Sequence, residues 1–231
     1  MYMMKKRVPY SEIDASGRMT LPAIVESLQD CATFHSEDVG ITLRWLMDRS
    51  LAWVTASWRI VIRRWPVFGE EIEVETRPYK LAHSIGKRTF EIRGSGESLV
   101  VADSQWVFTD IRQGKKVNLP DDFVERYGID EPFEGSISPV RRLRRAGEMT
   151  PQGSFPVALE HIDTNHHVNN VQYVRMAMGY LPKEINEFRI EYIRSAVLGD
   201  TIVPRTGALE GSALIDLADP SGNPFVIMEV R

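Results

Sequence analysis

Arg59-Ile60-Val61-Ile62-Arg63-Arg64-Trp65-Pro66-Val67-Phe68-Gly69-Glu70-Glu71-Ile72 returns 130 residues later as Arg189-Ile190-Glu191-Tyr192-Ile193-Arg194-Ser195-Ala196-Val197-Leu198-Gly199-Asp200-Thr201-Ile202. Arg, Ile, Arg, Val, Gly and Ile are identical between the two, with Phe/Leu and Glu/Asp alongside. An ungapped match between segments that stand in the same order along the chain points to internal duplication.

Working outward, each copy reads as a helix followed by strands. In the first, Thr20 and Pro22 supply an N-cap and a first-turn proline, and Ile24, Val25, Leu28, Ala32 and His35 form a helical stripe ending near Gly40. Val8 to Ile13 reads as a short strand before it, and about 42–47 as a further short helix. Val, Ile, Trp and Thr then dominate about 52–64, 70–80, 84–94 and 98–110, four strands in succession, followed by a short helix over 121–127. Residues 128–153, broken by Pro132, Gly135, Pro139, Gly147, Pro151 and Gly153, read as a linker. The plan then restarts: a strand near 154–159, a helix over about 169–181 with Val171, Val174, Met178 and Leu181 as its stripe, and strands near 185–195, 200–209, 212–218 and 224–230. The class is α+β, with two helix-wrapped antiparallel sheets in one chain, divided as 1–127, 128–153 and 154–231.

Between strand and helix of the second copy lies His161-Ile162-Asp163-Thr164-Asn165-His166-His167-Val168-Asn169-Asn170. If this stretch is extended, Asp163, Asn165 and His167 leave from one face, because side chains alternate along a strand. Asn169 or Asn170 caps the helix that follows, so His167 meets a helix N-terminus, where free N–H groups favour negative charge. An acid, an amide, a base and an oxyanion-stabilising helix end thus gather in a few residues. Two alternatives stand beside this: Asp163 and Asn165 as turn formers, and a metal site of His161, Asp163 and His167. Asp14-Ala-Ser16-Gly17-Arg18-Met19 holds the same place in the first copy without the Asn and His, which assigns chemistry to the second half.

Composition narrows the setting. A chain of 231 residues, 43% hydrophobic and 26% charged, is long enough for a proper core. A net charge of -4 argues against nucleic acid as a partner, and the single Cys31 leaves no intrachain disulfide. No apolar leader follows the first residues and no run of about 18 apolar residues occurs, so the expectation is a cytoplasmic protein away from membranes. Trp53, Trp58, Trp65 and Trp106 read as core rather than as an acyl tunnel, and His35 and His83 as structural.

Asp163-Thr-Asn165-His166-His167-Val168-Asn169-Asn170-Val171-Gln-Tyr173 resembles the D-x-N-x-H-V-N-N-x-x-Y motif of the acyl-acyl carrier protein (acyl-ACP) thioesterases known from plant plastids. Leu28-Gln-Asp-Cys-Ala32, Leu51-Ala-Trp-Val54 and Trp65-Pro-Val-Phe-Gly-Glu70 extend the likeness, which runs from Tyr10 to about Gly199. The resemblance implies a tandem (double) hotdog fold and release of free fatty acid from acyl-ACP, with the acyl pocket in the first hotdog and catalysis in the second. Where the plant enzymes carry a Glu-Cys pair beyond Glu191-Tyr192, this chain has Ser195 and Ala196, and Cys31 lies in the first half against a buried stripe. A covalent thiol route is therefore not expected.

Thioester hydrolysis needs an activated water and donors for the oxyanion. His167 is expected as base or water ligand, Asn165 as the group that positions water or carbonyl, and Asp163 either as its orienter or as the base itself. The amides of Val168 and Asn169 are expected as oxyanion hole, with Glu191 assisting and no metal or cofactor. Arg141, Arg142, Arg144 and Arg145 form a basic run suited to an acidic carrier protein, and a homodimer is an admitted assembly. A hotdog acyl-CoA hydrolase and a non-catalytic acyl-thioester sensor are the alternatives. Chain length, branching and saturation preference depend on how the pocket end is closed and are not legible.

Overall fold

A computed structural model describes residues 1–133, 135–137, 142–143, 148–209 and 211–231. The chain forms two compact units, one of residues 1–55 and 60–139, the other of 56–59 and 140–231. Along the chain the first half runs β1 (Tyr2–Arg7), α1 (Leu21–Asp38), α2 (Leu43–Asp48), β2 (Leu51–Ile62), β3 (Glu71–Ala82), β4 (Ile85–Gly94), β5 (Glu97–Asp110), β6 (Lys115–Lys116) and α3 (Phe123–Tyr127). The second runs β7 (Thr150–Pro151), β8 (Phe155–Pro156), α4 (Asn170–Ala177), β9 (Glu187–Tyr192), β10 (Thr201–Leu209), β11 (Ser212–Ala218) and β12 (Pro224–Val230).

The first unit is a helix on an antiparallel sheet ordered β1-β3-β4-β5-β2. α1 starts where the sequence says it should: the Thr20 hydroxyl accepts from the Ala23 N–H at 3.3 Å, and Pro22 sits in the first turn, where its missing N–H costs nothing. Its stripe of Ile24, Val25, Leu28, Cys31 and His35 is buried, and the helix packs on β3 and β1. From β3, Ile72, Val74 and Thr76 alternate inward to meet it. Ser95 and Gly96 both take positive φ between β4 and β5, the two-residue turn whose twist suits a hairpin. α3 closes one end, with Phe123 and Tyr127 packed on Phe108, Ile41 and Leu46. In the second unit the sheet is ordered β9-β12-β11-β10-β7, β8 pairs with β10, and α4 packs on β11. Among the described residues no helix is long and apolar enough to cross a membrane.

The duplication holds bond by bond. Val8 N–H donates to Glu70 O and Gly69 N–H to Val8 O; Val157 N–H donates to Asp200 O and Gly199 N–H to Val157 O. The N–H groups of Arg63 and Arg64 share Leu99 O, and those of Ile193 and Arg194 share Phe225 O. The second copy's helix is shorter, eight residues against eighteen. Gly179 and Pro182 stand just beyond it, and glycine is a poor helix former.

Three expectations change. Val8 to Ile13 is not a strand: the edge strand is Tyr2–Arg7, whose alternation lies in Met and Lys side chains, and Tyr10–Glu12 is a 3-10 turn after Pro9. The strand near 154–159 shrinks to Phe155–Pro156, followed by a 3-10 turn, Leu159–His161. α4 ends at Ala177, so its buried stripe is Val171, Val174 and Ala177 while Met178 turns outward. Within 128–153, Phe133 is buried on the first unit under the Arg77 guanidinium, 4.1 Å from the ring centre, and Leu143 is buried in the second.

His35 is structural, as expected, and its environment sets a pH dependence. Burial, and then the Arg88 charge, push its pKa down to about 3 from an ordinary 6.5. Below about pH 6.5 the unfolded chain takes up a proton that the folded chain refuses, so this contribution is complete above that pH and declines on acidification toward 3, by up to about 1.4 kcal/mol per pH unit. Thermal melts between about pH 6.5 and 5 should show Tm falling, and His35→Gln, which keeps an acceptor for Arg88, should flatten the fall. The same slope in both proteins would show that His35 titrates normally.

Candidate active site

The residues from Asp163 to His167 form a tight turn, closed by a bridge between Ile162 and Val168. The Asp163 carboxylate sits inside it: Oδ1 accepts from the Asn165 N–H at 2.8 Å and the His167 N–H at 3.3 Å. Asp163 N–H donates to His167 O, His166 N–H donates to Asp163 O, and His166 takes φ +61 at the tip. The stretch is therefore not extended, and the shared-face argument fails. What gathers Asp163, Asn165 and His167 is the carboxylate bonding its own loop, the turn chemistry held as the alternative.

The first copy confirms that reading of the aspartate. Asp14 Oδ1 accepts from the Ser16 N–H at 2.8 Å and the Arg18 N–H at 3.2 Å, and Gly17, φ +80, stands where His166 stands. The same turn forms with no candidate chemistry beside it. The contrast lies at two positions, Ser16 against Asn165 and Arg18 against His167. Among the described residues the Asn165 side-chain amide and the His167 imidazole make no hydrogen bond, and both are half-buried. His166 is exposed, and a histidine tolerates the left-handed region better than a branched residue would.

The amides expected as oxyanion hole are engaged. Val168 N–H donates to Ala196 O at 2.9 Å, and Asn169 N–H to His161 O at 2.9 Å. Met19 and Thr20 make the corresponding bonds, to Pro66 O and Glu12 O, so these are bonds of the fold. Asn169 does cap α4, its Oδ1 accepting from Val171 N–H at 2.9 Å. The first amide of α4, Asn170 N–H, has no acceptor among the described residues.

The remaining expected residues disperse. The Glu191 carboxylate accepts from Leu143 N–H at 2.8 Å, a bond that ties the connecting segment to β9. His161 Nδ1 accepts from Ala158 N–H at 2.9 Å, which holds the ring in a 3-10 turn. Among the described residues no group of three His, Cys, Asp or Glu side chains gathers as a metal site. Arg142 is exposed, while Arg141, Arg144 and Arg145 lie outside the described residues. Cys31 is wholly buried, its thiol donates to Val74 O at 3.3 Å, and burial pushes its pKa up to about 12.

Two tyrosines that sequence reasoning passed over brace the turn. The Tyr173 hydroxyl, on α4, accepts from Ala196 N–H at 2.7 Å, so Ala196 is gripped between the helix and Val168. Burial pushes the Tyr173 pKa up to about 12. The Tyr192 hydroxyl donates to Asn170 O at 3.2 Å, and the two rings lie 6.2 Å apart. Tyr173 is the last letter of the motif, which was the available signal. Ser195 and Ala196, where the resemblance places Glu and Cys, thus border the turn, Ser195 exposed and Ala196 buried.

The N-terminal domain of the acyl-ACP thioesterases matches residues 1–127, and the C-terminal domain matches 146–205. The chain belongs to the acyl-ACP thioesterase family. Relatives of this family member include a chloroplastic palmitoyl-acyl carrier protein thioesterase of Cuphea hookeriana, 27% identical over 93% of this chain and 54% of that protein. A chloroplastic dodecanoyl-[acyl-carrier-protein] hydrolase of Umbellularia californica is 24% identical over 87% of this chain and 58% of its own length. The chain thus spans about half the length of such relatives. An acyl-ACP thioesterase from Bacteroides thetaiotaomicron superposes with a TM-score of 0.89 at 21% identity, covering 99% of this chain and 96% of that one. The 12:0-ACP thioesterase from Umbellularia californica superposes at 0.84 and 22% identity, covering 100% of this chain and 96% of that one. The fold is the double hotdog of these acyl-ACP thioesterases.

In this family member, Tyr173→Phe removes the only acceptor seen for the Ala196 amide among the described residues. A buried N–H left unsatisfied should cost about 1–3 kcal/mol, read by denaturant unfolding. Unchanged stability would show that water takes the place of the hydroxyl.

Proposed function

We propose that the chain hydrolyses the thioester of a fatty acyl-ACP, releasing free fatty acid and the carrier thiol. The observation that carries this is the paired turn: the same backbone in both copies, with an amide and an imidazole that are unengaged among the described residues only in the second, at the start of a helix. Family membership supplies the reaction class.

In this reading water is the nucleophile. The His167 imidazole takes a proton from water as its oxygen bonds to the thioester carbonyl carbon, and the Asn165 amide holds that water or the carbonyl. The carbonyl π electrons move to oxygen, and the oxyanion lies at the N-terminus of α4, with Asn170 N–H as donor in place of Val168 and Asn169. Collapse breaks the C–S bond, and the leaving sulfur takes up the proton from His167. Asp163 is a positioning residue: one carboxylate oxygen already holds two amides of the turn, as Asp14 does where no reaction is proposed. Glu191 positions the connecting segment. Cys31, protonated and enclosed, takes no part. The first unit houses the acyl chain, the second the chemistry, and the Arg141–Arg145 run meets the acidic carrier.

Matched acyl-ACP and acyl-CoA turnover tests the carrier: kcat/KM should favour the ACP substrate, and equal values would select the CoA hydrolase reading. Replacing the base tests the site. His167→Ala should lower kcat by about 100-fold or more with the fold intact by circular dichroism, and Cys31→Ala should leave kcat near wild type. Wild-type turnover in the first variant would overturn the assignment, and a large kcat loss in the second would restore a thiol route.

A further inference from the structure

The first unit buries a cation that no carboxylate among the described residues neutralises. Arg88, on β4, is 6% exposed, yet among the described residues no carboxylate pairs with it. Its Nη1 lies 2.9 Å from His35 Nδ1, and its guanidinium stands 4.9 Å from the centre of the Tyr127 ring. His35, held neutral by burial, faces it without adding a second positive charge. The nearest buried carboxylates on its own and the next strand have other partners: Glu91 pairs with Arg93, and Asp103 accepts from the Tyr79 hydroxyl. The Tyr127 hydroxyl is bonded to Trp53 Nε1 at 3.0 Å and Ser36 Oγ at 2.8 Å. Tyr127 is also a hydrogen-bond partner of the Arg88 guanidinium, so its partners are His35 and Tyr127, and neither carries a negative charge.

Arg88 also lines a cavity of about 30 Å³, whose other walls are Ala32, Trp53, Leu81, Gly86 and Trp106 together with the polar Thr33. Two of the tryptophans read as core thus face open space. Gly86 keeps this wall close, since a Cβ would come within 3.1 Å of the Leu81 side chain and 3.2 Å of the Trp53 indole. Burying a charge without an opposite partner is destabilising, and a fold under no other demand would replace it with an apolar side chain. Burial pushes the Arg88 pKa down, opposing the charge that the residue nonetheless presents to the pocket.

We propose that this pocket receives the oxygen-bearing group of an acyl chain, a hydroxyl, oxo or carboxylate, and that the oxygen bonds to the Arg88 guanidinium. A plain alkyl chain in the same place would strip the cation of water and give it nothing in return; an oxygenated one completes its hydrogen bonds. The inference rests on the thioesterase reading and adds a substrate class to it, with Arg88 as the specificity-determining residue.

The test uses the full chain and acyl thioesters paired by length, ending in methyl, ω-hydroxyl or ω-carboxylate. At the lengths that reach Arg88, kcat/KM should favour an oxygenated chain by about tenfold or more, and Arg88→Met should abolish that preference. Should Arg88→Met not fold, the wild-type comparison alone decides. A wild-type preference for methyl at every length overturns the inference and leaves the thioesterase reading standing. If no thioester is hydrolysed, that reading fails, and calorimetry with matched ω-hydroxy and plain fatty acids still tests the pocket: tighter binding of the hydroxy acid supports it, equal or weaker binding overturns it.

Discussion

One carboxylate oxygen holding two backbone amides shapes both halves of this protein. Asp14 and Asp163 each fold the chain back before a helix, and each turn then passes its next two amides to carbonyls of the surrounding fold. The arrangement fixes where the helix begins, which strand it follows, and which side chains stand at its entrance. Buried backbone groups must find partners, and here the partners are the same in both copies. Once the backbone is fixed in this way, side chains at the turn are free to differ without cost to the fold. That freedom separates Ser16 and Arg18 from Asn165 and His167.

The same constraint explains what the sequence made legible. The repeat was readable because its turn residues, Val67 and Gly69 against Val197 and Gly199, are held by backbone geometry. The helix start at Thr20 and the cap at Asn169 were readable from side-chain oxygens that leave few other roles. The site residues were found for an incomplete reason: alternation along a strand placed Asp163, Asn165 and His167 together, whereas a turn does. Letters spaced two apart do not distinguish an extended segment from an Asx turn, because both bring those residues to one locality.

Other features depended on contacts that no local pattern encodes. The amides of Val168 and Asn169 looked free beside a helix end, but their acceptors, Ala196 and His161, come from elsewhere in the fold. Glu191 looked available, but Leu143 reaches it across the sequence. The edge strand Tyr2–Arg7 escaped notice because edge strands carry lysines that interrupt an apolar alternation. Arg88 gave no signal in a strand rich in charge; that no carboxylate among the described residues pairs with it emerges only from its neighbours in space.

The central claim is that one turn serves as scaffold in both halves and that two side chains make it a site in the second. Writing the first copy's letters into the second, as the double variant Asn165→Ser, His167→Arg, tests this most directly, with melting temperature and acyl-ACP turnover measured on the same preparation. The account predicts a melting temperature close to wild type and hydrolysis reduced to background. Turnover near wild type would contradict the assignment of the chemistry, and a collapsed fold would contradict the claim that the turn stands independently of what it carries.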